Sequence, residues 1–83
     1  IMTDTWKSMG EEINDNDLHQ LEKFCVTEEL FNKAKKDCRF MHCLPASRGQ
    51  EVEKIVIDGP NSRIWIEAKN RLFVQQQLLK ELL

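Results

Sequence analysis

The sequence predicts an α/β layered fold, and three observations carry that prediction. Short apolar or β-branched runs alternate with segments of helical periodicity. The run Arg39-Phe40-Met41-His42-Cys43 is apolar enough for a buried strand, and Pro45 must end it. From about Glu67 to the end, no Gly or Pro interrupts a helical pattern. Two complete strands and a stub of a third are few for a parallel sheet buried on both faces. The chain therefore reads as part of a larger fold.

Each element has a local reason. Ile1-Met2-Thr3 reads as the tail of a strand that enters a polar loop, Asp4 to Gly10. Asp15 or Asn16 is the expected cap of a helix in which Leu18, Leu21 and Cys25 recur at helical spacing, with Phe24 beside them. Thr27 is the expected cap of a second helix: Glu28 and Glu29 suit its first turn, Leu30 and Ala34 share a face, and Lys33, Lys35 and Lys36 close it. Glu51 to Asp58 is ambiguous, because its β-branched residues suit a strand while Val52, Ile55 and Val56 are spaced as on one helical face. Asp58-Gly59-Pro60-Asn61 is a turn by composition. Arg63 to Ile66 reads as a strand, and the helix that follows carries Ala68, Leu72, Gln75, Leu79 and Leu82 on one stripe and Val74 and Leu78 on another. A helix apolar on two sides needs two surfaces to cover it.

Composition bounds the rest. Eighty-three residues, 41% hydrophobic and 31% charged, make at most one small globular domain with a thin core. A formal charge of −2 exerts no general attraction on nucleic acid or an anionic membrane, and neither is an expected partner. The lysine cluster at 33–36 sits where a helix would end and suits its dipole. No apolar run approaches the roughly 20 residues that span a bilayer. No segment reads as a signal peptide, although a sequence opening on Ile1-Met2-Thr3 says little about targeting. Three cysteines fit no closed disulfide framework, and free thiols in a reducing compartment are the simplest reading. His19, Cys25, Cys38, His42 and Cys43 invite a zinc site, yet no Cys-x₂-Cys pair exists and adjacent strand residues point to opposite faces. No metal is expected. Cys25 and Cys38 are expected as small buried hydrophobes, and Trp6 and Trp65 as packing residues.

Three segments, in order, carry a resemblance: Asp4-Thr5-Trp6-Lys7-Ser8-Met9-Gly10, then Phe40-Met41-His42-Cys43-Leu44-Pro45-Ala46, then Glu67-Ala68-Lys69-Asn70-Arg71-Leu72. Val52 and Val56-Ile57-Asp58-Gly59-Pro60-Asn61-Ser62 fit the stretch between them. Together they resemble the ornithine carbamoyltransferases over nearly the whole chain, and Ser-Met-Gly favours ornithine over the substrates of sister families. The resemblance implies that residues 1–83 are the C-terminal portion of the ornithine-binding domain. The implied fold is part of a doubly wound parallel sheet (Rossmann-like) ending in a long C-terminal helix.

The implied reaction moves a carbamoyl group from carbamoyl phosphate to the side-chain amine of ornithine, giving citrulline and phosphate without a cofactor. By the family's motifs, Asp4 would hold ornithine's amino groups, and Ser8 and the Met9 backbone N–H its α-amino and α-carboxylate end. Gly10 would let that loop turn tightly. Cys43 would be the active-site cysteine, as proton acceptor or orienter of the amine, and needs an electropositive setting to act as a base at neutral pH. The carbonyls of Cys43 and Leu44 would take hydrogen bonds from the carbamoyl –NH₂, with Leu44-Pro45 cis as in the family. Arg71 would contact the carbamoyl oxygen, where negative charge develops.

The family's carbamoyl-phosphate loop, Ser-x-Arg-Thr-Arg, belongs to an amino-terminal domain and has no counterpart in these residues. A doubly charged phosphate has no evident cradle here. Lys69 stands where the family usually has Glu, Ser47 where some members have His, and Phe24-Cys25-Val26 replaces a longer stretch. The implied compartment is the cytoplasm, with the mitochondrial matrix as the alternative. Family enzymes are homotrimers, but the contacts come largely from the amino-terminal domain. Two readings stay open: a piece of a working ornithine carbamoyltransferase, or a truncated, non-catalytic remnant acting as a small α/β module or partner-binding fragment.

Overall fold

In a computed structural model that describes residues 1–7 and 12–83, two short parallel strands and four α-helices surround a core of six buried apolar residues. The elements run β1 (Met2–Thr3), α1 (Asp15–Leu21), a 3₁₀ turn (Glu22–Phe24), α2 (Glu28–Asn32), β2 (Met41–His42), α3 (Lys54–Ile57) and α4 (Ile64–Leu82). β1 pairs with β2 in parallel, Met2 opposite Met41 and Thr3 opposite His42. The α/β class and the parallel pairing follow the sequence expectation.

Around this pair the chain is pinned by single bridges. Val26 and Val52 pair in parallel, with Val26 N–H donating to the Glu51 carbonyl at 2.9 Å and Glu53 N–H to the Val26 carbonyl at 3.0 Å. Phe40 pairs with Ser62 in the same sense, Arg63 N–H donating to the Phe40 carbonyl at 2.9 Å. These bridges bring Val26, Phe40, Val52, Val56, Ile57 and Ile64 into one cluster, with Phe31, Leu44 and Ala46 packed against it. Complete burial of side chains such as Phe40, Val52 and Ile64 is each worth about 1.5–3 kcal/mol.

Thr27 caps α2 as expected, its Oγ1 accepting from Leu30 N–H at 3.0 Å. Several boundaries differ from the sequence expectation. Asn14, rather than Asp15 or Asn16, caps α1, because its Oδ1 receives Asp17 N–H at 2.8 Å. That helix tightens into the 3₁₀ turn after Leu21, so Cys25 leaves the helical face and Phe24 stays exposed. α2 ends at Asn32, and the lysines follow it rather than filling its last turn. The ambiguous Glu51–Asp58 stretch divides, with a bridge at Val52 and one helical turn at Lys54–Ile57.

The expected strand at Arg63–Ile66 is instead the opening of α4. Sheet pairing stops at Ser62, and Glu67 N–H donates to the Arg63 carbonyl at 2.9 Å to start the helix. Burying Ile64 in the core overrides the β preference of Ile64-Trp65-Ile66. Trp65 then points outward, 70% exposed, against the packing role expected of it. Cys25 and Cys38 are half-buried rather than buried. No helix among the described residues is long and apolar enough to cross a membrane.

Beyond its first turn α4 projects. Leu72, Phe73, Val74, Leu78, Leu79 and Leu82 are all more than half exposed, so both predicted stripes are bare among the described residues. The radius of gyration, 15.2 Å, exceeds the roughly 12 Å of a compact chain of this length.

Candidate functional site

Parallel pairing puts the chemistry-bearing residues on one edge. Because Thr3 is level with His42, the next residues, Asp4 and Cys43, leave the carboxyl ends of neighbouring strands together. In open α/β sheets that end is where ligands bind.

Past β2 the backbone turns at once. Leu44 has φ 61°, a left-handed conformation uncommon for a branched residue, and the Leu44–Pro45 bond is cis as expected. His42, 1% exposed, lies beneath this turn. Its Nδ1 accepts the Leu44 N–H at 2.8 Å, and its Nε2 lies 2.9 Å from Glu51 Oε1. The same Glu51 oxygen accepts Ser47 N–H at 2.8 Å. On the α4 side, Glu67 Oε2 accepts the His42 backbone N–H at 3.0 Å and ties the strand to the first turn of that helix. Sequence reasoning assigned no role to His42, Glu51 or Glu67. The one available signal was the position of His42 beside Cys43.

The electrostatic setting of Cys43 is the reverse of an electropositive one. Burial pushes its thiol above the usual value, the Asp4 carboxylate adds to this by charge and hydrogen bonding, and Glu67 adds further by charge. A hydrogen bond from the residue's own backbone opposes them. Asp4 and Cys43 are thus brought together. Arg71 is exposed one turn beyond Glu67 and lines a shallow depression with Met41, Glu67 and Val74. Lys69, the charge-reversed position, lies with its Nζ 5.8 Å from the centre of the Phe73 ring. Ser8 and Met9 fall outside the described residues.

The aspartate/ornithine carbamoyltransferase Asp/Orn-binding domain matches residues 1–82. The chain belongs to that family. A curated ornithine carbamoyltransferase of Nitrosococcus oceani is 51% identical over all of this chain, which covers 28% of the relative's length. The anabolic ornithine carbamoyltransferase of Campylobacter jejuni superposes with a TM-score of 0.85 at 41% identity, over 98% of this chain and 27% of that one. The Pyrococcus furiosus ornithine carbamoyltransferase gives 0.83 at 47% identity, over 94% of this chain and 25% of that one. The chain therefore spans about a quarter of the length of these relatives. Its edge of Asp4, Cys43 and Leu44 lies within the matched region.

Proposed function

We propose that these residues are the C-terminal portion of an ornithine-binding domain and act, within a complete enzyme, in carbamoyl transfer from carbamoyl phosphate to ornithine. The observation that carries this reading is the placement of Asp4 beside Cys43 at the carboxyl edge of two parallel strands, next to the Leu44 turn.

Ornithine arrives as an ammonium ion and must shed a proton before its nitrogen can attack. Asp4 supplies the negative charge that draws the ammonium to the edge, and Ser8 with the Met9 N–H holds the amino-acid end. The raised Cys43 thiol then orients the amine rather than deprotonating it. A bound ammonium offsets the field of Asp4, so any acceptor role of Cys43 arises only once substrate is in place. The ammonium gives one proton to solvent, the nitrogen attacks the carbamoyl carbon, the bond to the phosphate oxygen breaks, and inorganic phosphate leaves with its electron pair and takes up the second proton that the nitrogen sheds. The Cys43 and Leu44 carbonyls hold the carbamoyl –NH₂, and Arg71 meets the oxygen on which charge grows. Binding of the phosphate falls to the amino-terminal domain of the complete enzyme.

A segment exchange tests this. Residues 1–83 replace their counterpart in the Pyrococcus furiosus enzyme, and ornithine-dependent citrulline formation is followed. Activity that Cys43→Ala removes supports the proposal. A chimera that folds and assembles like its parent yet forms no citrulline overturns it, and favours the non-catalytic remnant.

A further inference from the structure

His42 and Glu51 are the two buried polar residues among those described, 1% and 0% exposed in a core otherwise made of six apolar side chains. Burying such groups is costly unless their hydrogen bonds are met. None of the proposed substrate contacts uses either side chain. Their geometry shows what they hold.

A backbone N–H can only donate, so the 2.8 Å contact from Leu44 N–H makes His42 Nδ1 an acceptor. The single proton of the neutral ring is then on Nε2 and is donated to Glu51 Oε1 at 2.9 Å. The partner of one ring nitrogen decides the state of the other. His42 in this state does what Asn or Asp does in an Asx turn, accepting the N–H two residues on. That bond is made to Leu44, the residue at φ 61°. Glu51 Oε1 also takes the Ser47 N–H at 2.8 Å. A single oxygen therefore grips both ends of the 42–47 turn, one through the imidazole and the other through the backbone.

We infer that Glu51 is a positioning residue for the Cys43–Leu44 segment, acting by holding His42 as the Nε2–H tautomer so that Nδ1 keeps the Leu44 N–H turned inward. The Cys43 carbonyl, anti to the Leu44 N–H in the trans peptide they share, is thereby fixed on the opposite side. The consequence for carbamoyl binding rests on the function proposed above, whereas the tautomer and the turn do not.

The test uses the 83-residue chain labelled with ¹⁵N, with the exposed His19 replaced by Gln to leave one imidazole. Long-range proton–nitrogen correlation at neutral pH is expected to show Nε2 protonated and Nδ1 bare. The reverse tautomer, or a ring protonated on both nitrogens, overturns the inference without any further variant. Amide exchange at Leu44 supplies the second readout. Glu51→Leu is expected to speed it about five- to tenfold, the loss of roughly one hydrogen bond, while amides of Ile57 and Asp58 keep their protection. Glu51→Gln, whose amide oxygen still accepts, restores slow exchange, and His42→Asn does so through its own side-chain oxygen. Equal Leu44 exchange in the Leu variant and the parent, or failure of a folded Gln variant to restore it, overturns the inference. Should the Leu variant not fold, the tautomer of the parent and the Gln variant decide. Success here beside an inactive chimera would sink the functional reading alone.

Discussion

Asp4 and Cys43 stand level at the ends of two parallel strands, one residue beyond the paired Thr3 and His42, and the carboxylate adds to burial in raising the neighbouring thiol. Asp4→Asn removes the charge and leaves the burial that is the first cause of the shift. The thiol is therefore expected to titrate lower than in the parent but still above an ordinary cysteine. Alkylation rate against pH, with peptide mapping to separate Cys25 and Cys38, measures this. A folded-state value above the unfolded one means that the stabilising contribution is present at lower pH and is lost as pH rises through the folded value. An unchanged alkylation profile in Asp4→Asn would show that the carboxylate does not act on Cys43.

Arg71 is expected to matter for turnover and little for folding, because it is exposed on the projecting helix. In the chimera, Arg71→Leu should lower kcat about 10²–10³-fold, as does removal of a donor from developing negative charge. Its melting temperature should stay with that of the parent. Retained kcat would remove Arg71 from the proposed site.

Asp58 closes a small ion cluster. Arg48 donates to it through Nε and Nη2 at 2.9 and 2.8 Å, and Lys54 reaches it at 3.2 Å. The Arg48 and Lys54 hydrogen bonds lower its carboxyl to about 2. A depressed folded value stabilises above the ordinary carboxylate range, and that contribution is lost as pH falls from near 4 through about 2. Carboxyl-carbon NMR titration should show the low value, and Arg48→Ala should return it toward the ordinary one. A normal Asp58 titration in the parent chain would mean that the cluster does not persist in solution.

The two turn glycines should respond differently to alanine. At Gly59 a Cβ would overlap the Ile55 carbonyl oxygen, which is backbone of α3 and cannot swing aside. Gly59→Ala is expected to cost about 1–3 kcal/mol by overpacking. Gly49 has open space around its Cβ position but φ 89°, so Gly49→Ala should cost about 1–2 kcal/mol through the backbone alone. Thermal melts of the two variants check both figures, and a neutral Gly59→Ala would contradict the close approach.

Much of this was legible in local pattern. Thr27 followed by two glutamates announced α2, Asp58-Gly59-Pro60-Asn61 announced a turn, and the uninterrupted tail announced α4. Propensity misplaced the start of α4, because Ile64-Trp65-Ile66 favours a strand and only the demand of the core for Ile64 decides otherwise. The site was half visible. Cys43, Leu44 and Asp4 lie in motifs, while Glu51 and Glu67 meet His42 across nine and twenty-five residues of sequence. Pairings of that span come from folding back, which periodicity cannot show.

α4 carries a consequence of its own. It is 19 residues long, yet its first residue alone is buried, and Glu67 ties its opening turn to β2. Most of the stability of a helix in a protein comes from packing, and beyond Ile64 the described residues bury none of α4. Its amide exchange should therefore run as a gradient, slow at the anchored root and rapid toward Leu82. Any surface that comes to rest on the bare stripes would flatten that gradient, which makes the far turns of α4 a built-in gauge of occupancy.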